Sequence, residues 1–311
     1  MLELAIMVEG QNGLNWERWQ RLAQAVEALG FAGLFRSDHY TNANPPDLDS
    51  LELWVSLTWL ASHTQRIQFG PLVTPVSFRH PTLTARMAAA VDDLSQGRLV
   101  LGLGAGWQER EHTNYGWDLL DLEGRFARFA EGLEIISRML HSDTPFDYTG
   151  TYYQLKEAVL LPRPSRKGGP SILVGGNGEK RTLPLAAHYA DEWNAVYVTA
   201  ERFKALNGRL DELIHGEGRS PEQLRRSLKT GCVFGRTAGD VANKVAARTK
   251  GKLNTQELRQ RGLIVGTGEE ILEQLEALNK AGVQRVMLQW LDLDDMDGLE
   301  GLANDVLKKL G

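Results

Sequence analysis

Eight short apolar runs recur along the chain, each followed by a stretch with helical spacing, and this alternation constrains the fold more than any single motif does. The run at residues 2–8 reads as a buried strand; Trp16, Trp19, Leu22, Ala23, Val26 and Leu29 then fall on one helical face that Gly30 closes. Runs at 34–37, 67–73 and 99–106 begin three further units, with helices predicted over 50–61, 81–94 and 123–140. The rhythm resumes at 171–175 and 192–196, with helices over 180–189 and 201–215. It ends with runs at 226–235 and 283–290, followed by helices over 240–249 and 299–310. An extra helix over 266–282, with Thr267 as its N-cap, precedes the last strand. Near-continuous apolar strands are buried on both faces, and eight of them close a sheet, so the pattern predicts an α/β fold, a (β/α)8 TIM barrel. A doubly wound sheet is the alternative.

Three connections exceed the usual length: 105–122 after strand four, 142–169 and, after strand seven, 250–266. The middle one holds a hairpin-like FDYTGTYYQL and a proline-rich LPRPSRKGGP. In a compact barrel such excursions are either binding lids or structural insertions.

With 311 residues, 42% of them hydrophobic, the chain is large enough for one domain over 1–311. A net charge of −5 gives no broad electrostatic reason to expect nucleic acid or an anionic membrane as partner. No apolar run approaches the roughly 18 residues that span a bilayer. Glu3 and Glu9 stand where an export signal carries basic residues, so the expected compartment is the cytoplasm. One cysteine, Cys232, rules out a disulfide framework and reads as a buried strand thiol rather than a nucleophile.

In a barrel of this kind the chemistry sits where the strands end. Strand two ends in Ser37-Asp38-His39 and strand three in Val73-Thr74-Pro75. Strand four ends in alternating glycines before Trp107, strand five in GGNGEK, strand six in Trp193-Asn194 and strand eight in Gln289-Trp290. Gly102, Gly104 and Gly106 are not a dinucleotide fingerprint, because the place of its third glycine is taken by Trp107. GGNGEK at a strand-to-helix junction, with Lys180 and Arg181 beside it, offers free amides to a phosphate. Glu109 to His112 spell EREH, but the first strand lacks the paired histidines that a metal hydrolase would use, so no metal is expected.

Taken in order and spacing, SDHY, GPLVTPVSFRHP, DDLSQGRLVLGLGAGWQEREHTNYGW, LPRP and ILVGGNGEKRTLPLAAHYADEWNAV resemble the bacterial luciferase-like superfamily, in its branch of deazaflavin-dependent oxidoreductases. The resemblance covers residues 2–198 closely and the remainder by architecture. It implies a flavin-like ring in the barrel mouth, with coenzyme F420 as the cofactor and FMN as the alternative. It further implies that Asp38 and Thr74 hydrogen-bond the ring edge and that His39 donates or accepts a proton beside the hydride-transfer face. A non-proline cis bond at Pro71–Leu72 is implied behind the ring, with Leu72 in contact with it. Gly104, Ala105, Gly106 and Trp107 would border the ring, the glycines leaving room for it. Gly175, Gly176, Asn177 and Gly178 would cradle the cofactor phosphate.

The sugar-phosphate dehydrogenases of this branch carry a tryptophan shortly after the Asp-His pair and a glutamate where Trp107 stands; this chain has TNANPP and Trp107, which argues against a sugar phosphate. Trp107, Tyr115, Trp193 and Trp290 suggest an aromatic-lined pocket for a small organic substrate. The expected reaction is reduction of an unsaturated or carbonyl compound, or the reverse oxidation of an alcohol. An FMN-dependent monooxygenase and a non-enzymatic flavin-binding protein remain the other readings. The resemblance also implies a homodimer.

Overall fold

A computed structural model describes residues 2–310. Strand β1 (Glu3–Val8) leads into α1 (Trp16–Leu29), which starts where the Asn15 side chain accepts from the Arg18 amide and stops at Gly30 in the left-handed region. Next come β2 (Gly33–Arg36), α2 (Leu53–His63), β3 (Gln68–Pro71), β4 (Thr74–Pro75) and α3 (Pro81–Leu94). Strand β5 (Val100–Gly104) is followed by the short α4 (Glu109–Tyr115) and by α5 (Leu122–His141), and then by the hairpin β6 (Phe146–Thr149) and β7 (Gln154–Ala158). The second half runs β8 (Ser171–Gly175), α6 (Thr182–Tyr189), β9 (Glu192–Val196), α7 (Ala200–Gly216) and β10 (Arg225–Phe234). It finishes with α8 (Ala238–Thr249), α9 (Thr255–Gln260), β11 (Ile264–Gly266), α10 (Gly268–Lys280), β12 (Arg285–Gln289) and α11 (Met296–Asp305).

The sheet order is β3-β2-β1-β12-β10-β9-β8-β5-β4, every pair parallel, and a bridge from Phe69 in β3 to Leu99, just before β5, closes the ring. Because β4 continues the course of β3, eight strand positions surround the axis and the expected barrel is present. The expected third strand is broken, however, by a non-proline cis bond at Leu72–Val73, one bond later than Pro71–Leu72. The excursion at 250–266 is not a bare loop either. It forms α9 and β11, whose residues pair with the end of β10.

Period-two alternation divides the strands between two cores. Ala5, Met7, Phe35, Val100, Leu173 and Met287 fill the barrel axis with Leu72. Alternate residues such as Leu4, Ile6, Leu34, Leu101 and Val174 join the helices in the surrounding layer. Arg285 closes the N-terminal end of the barrel, buried and paired to Glu3 at 2.9 Å and Glu192 at 3.0 Å. That end is structural; a wide cavity opens at the other.

The glycines of β5 make the mouth possible. A Cβ on Gly102 would collide with the carbonyl oxygen of Pro71, and one on Gly104 would lie 2.6 Å from a methyl of Val73. They admit the neighbouring bulge at residues 71–73.

Candidate active site

A cavity of about 780 Å³ occupies the C-terminal mouth, within the size range of small-molecule sites. Its wall has two unlike arcs. Leu72, Val73, Gly104, Ala105, Gly175 and Gly176, from adjacent strand ends, give a smooth face with few side-chain atoms. Across from it Glu9, His39, Asn194, Tyr197, Lys229 and Gln289, from β1, β2, β9, β10 and β12, give a polar one.

His39 is fixed from behind. Its Nδ1 lies 2.8 Å from Oε1 of Glu111, whose side chain is wholly buried at the start of α4 and whose Oε2 accepts from the Tyr40 amide at 3.1 Å. A carboxylate only accepts, so the proton of that bond is on Nδ1 and Nε2 is the free nitrogen. Gln108 Nε2 also approaches Nδ1, at 3.3 Å, while donating to the Thr41 carbonyl at 3.1 Å. Burial disfavours an imidazolium here, but the Glu111 hydrogen bond and charge, with the charges of Glu9 and Asp38, outweigh it and raise the His39 pKa. Trp107, 60% exposed, meets the imidazole edge-on at a centroid separation of 5.6 Å.

Glu9 belongs to a second network. Burial pushes its carboxyl up, yet Lys229, His39 and the Gln289 hydrogen bond hold it below the ordinary carboxylate range. Lys229 Nζ donates to Glu9 at 3.1 Å and to the Tyr197 hydroxyl at 3.3 Å, and that hydroxyl donates to Gln289 Oε1 at 2.6 Å.

Of the residues expected at the site, His39, Leu72, Gly104, Ala105, Gly106, Trp107, Gly175 and Gly176 line the cavity. Asp38 and Thr74 do not: Thr74 Oγ1 donates to Asp38 Oδ2 at 2.6 Å, and Arg79 completes the pair at the same distance. Asn177 and Gly178 do not line it either. The Asn177 amide clamps Val196, giving to its carbonyl at 2.7 Å and taking from its amide at 2.9 Å, while the Gly178 carbonyl accepts from Thr182 and Leu183. Lys180 is exposed, and Arg181 stacks over Phe126. At the glycine rim the cation is instead Arg125, which shares the cavity wall with Gly106, Gly176 and Thr182.

Of the four aromatics expected to line the pocket only Trp107 borders this cavity, where Phe126 and Tyr197 join it. Trp193 is core, donating to the Gly176 carbonyl at 2.8 Å, and Tyr115 stacks on Trp117 outside the mouth. EREH is split in use: Glu111 supports His39, whereas His112 contacts Ser77 at 2.8 Å. Sequence reasoning missed Glu111; the signal available was its place on the first turn after the strand-four glycines, facing the end of strand two. Cys232 is buried as expected, and burial pushes its thiol up to about 12. Among the described residues, no helix is long and apolar enough to cross a membrane.

The chain is thus a (β/α)8 barrel with a His-Glu pair, its carboxylate wholly buried, at a glycine-lined C-terminal mouth. The chain belongs to the luciferase-like monooxygenase family, whose model matches residues 4–285. It is 26% identical to 4-hydroxyprotoasukamycin monooxygenase of Streptomyces nodosus subsp. asukaensis, over 93% of this chain and 84% of that protein. Over 56% of its length it is 33% identical to the F420-dependent hydroxymycolic acid dehydrogenase of Mycobacterium tuberculosis, of which it spans 47%, about half. Its fold superposes with a TM-score of 0.84 on an F420-dependent secondary alcohol dehydrogenase in complex with an F420-acetone adduct, at 17% identity over 98% of both chains.

Proposed function

We propose that this protein is an F420-dependent oxidoreductase acting on a small organic substrate, with His39 as the proton donor or acceptor. The observation that carries the reading is the His39–Glu111 pair, which leaves Nε2 free at a cavity whose other arc is flat, apolar and glycine-rich. The residues fit a planar heterocycle. Leu72, Val73, Gly104 and Gly175 would support its face, and Asn194 Oδ1, a buried acceptor without a partner among the described residues, would receive a ring N–H. Arg125 and the amides near Gly176 would hold the phosphate. When bound, the deazaflavin supplies a carbon that gives or takes a hydride.

The chain's own residues handle the proton. In the reductive direction protonated His39 delivers its Nε2 proton to the substrate atom that gains charge, and the imidazole left behind keeps its Nδ1 bond to Glu111. In the oxidative direction neutral Nε2 removes a hydroxyl proton, and Glu111 stabilises the imidazolium that results. Asp38, tied to Thr74 and Arg79, holds the strand end that carries His39. Two of the three similar proteins named above are F420-dependent dehydrogenases, which supports hydride chemistry, and the third is a monooxygenase.

One observation favours a second reading. A relative matched over 93% of this chain is a monooxygenase, and Arg125 would serve an FMN phosphate as well as that of F420. Oxygen dependence separates the two. With reduced F420 and a panel of enones and ketones, turnover under strict anaerobiosis supports the deazaflavin reading; turnover that needs oxygen and reduced FMN overturns it.

A further inference from the structure

Three cationic side chains, Arg125, Lys229 and Arg248, line the cavity against one carboxylate, Glu9. Their surroundings differ. Arg125, which among the described residues donates only to the Asp121 and Gly106 carbonyls, stands at the glycine rim where a cofactor phosphate would take it up, and Lys229 is neutralised by Glu9 at 3.1 Å. Arg248, on the last turn of α8, has no carboxylate partner among the described residues. It donates to the Cys232 carbonyl at 3.1 Å and, over a long 3.4 Å, to Gln289 Oε1. A half-buried guanidinium is always charged, and burial of a charge without a counter-charge is unfavourable.

Arg248 is also the partition between two spaces. A second cavity of about 530 Å³ lies on its far side, walled by Cys232, Phe234, Lys244, Trp290 and Asp295. Lys244 and Asp295 pair with each other at 2.6 Å, and the exposed Asp292 adds a further carboxylate to this second cavity, so the excess of positive charge lies on the side of the first. Trp290 is 4% exposed, and its indole N–H has no acceptor among the described residues. On the side of the first cavity the junction therefore offers a guanidinium with no paired carboxylate and, next along the chain to Gln289, a buried donor that lacks an acceptor.

We propose that the substrate is an organic acid whose carboxylate is anchored by Arg248, at the wall between the two cavities. One unpaired cation matches one negative charge, and a planar guanidinium matches a planar carboxylate. The network Lys229–Glu9–Gln289 holds Arg248's neighbour Gln289 in place, so the anchor is built before the ligand arrives. Apolar carbons of such an acid would extend past Leu291, which borders both cavities. This deepens the functional reading above, since it assumes that the barrel mouth is where the substrate binds.

The test is calorimetric titration of the full chain with benzoate, phenylacetate and octanoate, each against its primary amide. The acids are expected to bind roughly tenfold tighter than the amides or better, a difference of about 1.4 kcal/mol. Raising the ionic strength weakens acid binding and leaves amide binding unchanged. R248Q removes the preference, whereas R125Q keeps it. Equal binding of acids and amides, no binding of any acid at millimolar concentration, or a preference that survives in R248Q overturns the proposal. Repeating the titration with F420 present identifies the source of the anion: acid binding that saturating F420 abolishes would assign Arg248 to the cofactor phosphate and overturn the substrate anchor. Failure of F420 to bind while the acid preference persists removes the functional reading and leaves the anchor intact.

Discussion

Glu111 Oε1 lies 2.8 Å from Nδ1 of His39, and this bond joins a helix after β5 to the end of β2. Its pH consequences have a definite sign. His39 is raised above its ordinary value, so its charge contributes stability that is fully present below the ordinary histidine pKa and is lost as pH rises through the raised one. E111Q removes the anion and leaves burial to dominate, which lowers the His39 pKa. The gap in Tm between the native chain and E111Q is therefore widest at acid pH and narrows on the alkaline side. The alkaline fall of reductive turnover moves to lower pH in the same variant, as a pH-rate profile would register.

Replacing His39 itself separates chemistry from binding. H39A is expected to lose turnover by roughly 10²- to 10⁴-fold, the usual contribution of one positioned proton donor. Cofactor affinity stays close to native, because the supporting arc of Leu72, Gly104 and Gly175 is untouched. Fluorescence titration beside steady-state rates reads both quantities; a variant that turns over like the native chain would remove His39 from the proton step, and a native chain that binds cofactor without turnover would make the protein a carrier.

Gly102 and Gly104 face different neighbours, so alanine acts differently at each. At Gly102 the obstacle is the Pro71 backbone, which cannot rotate away, and G102A is expected to destabilise by about 1–3 kcal/mol in chemical denaturation. At Gly104 the obstacle is a Val73 methyl, so G104A costs less stability but pushes Val73 into the cavity and weakens cofactor binding.

Asn177 distinguishes scaffold from cradle. N177A deletes both bonds to Val196 and is expected to cost about 1–3 kcal/mol of stability, with F420 affinity little changed. R125Q should do the opposite: native stability and weakened binding. Thermal melts and titrations of the two variants decide it.

The barrel was legible because each strand is a near-continuous apolar run and each helix repeats at 3.6 residues; neither signal depends on distant partners. His39 and the glycine rim were legible because strand ends announce themselves by a change from apolar to polar residues. Asp38 and Thr74 sit at such ends too, yet they satisfy each other, and no local pattern reveals that pairing. Glu111 was hidden for the same reason: its partner is 72 residues away, and EREH invites a metal reading that the divergence of Glu111 and His112 removes. Trp193 and Trp290 read as pocket aromatics because position along a strand does not say which face a side chain takes once the strand ends. The cis bond fell one residue off because a motif carried over by resemblance fixes a neighbourhood, and only the backbone fixes the bond.

Cofactor preference tests the central claim most directly. Purified protein titrated with F420 and with FMN, each followed by fluorescence, is predicted to bind F420 more tightly. Preference for FMN by roughly tenfold or more, about 1.4 kcal/mol, would contradict the deazaflavin assignment.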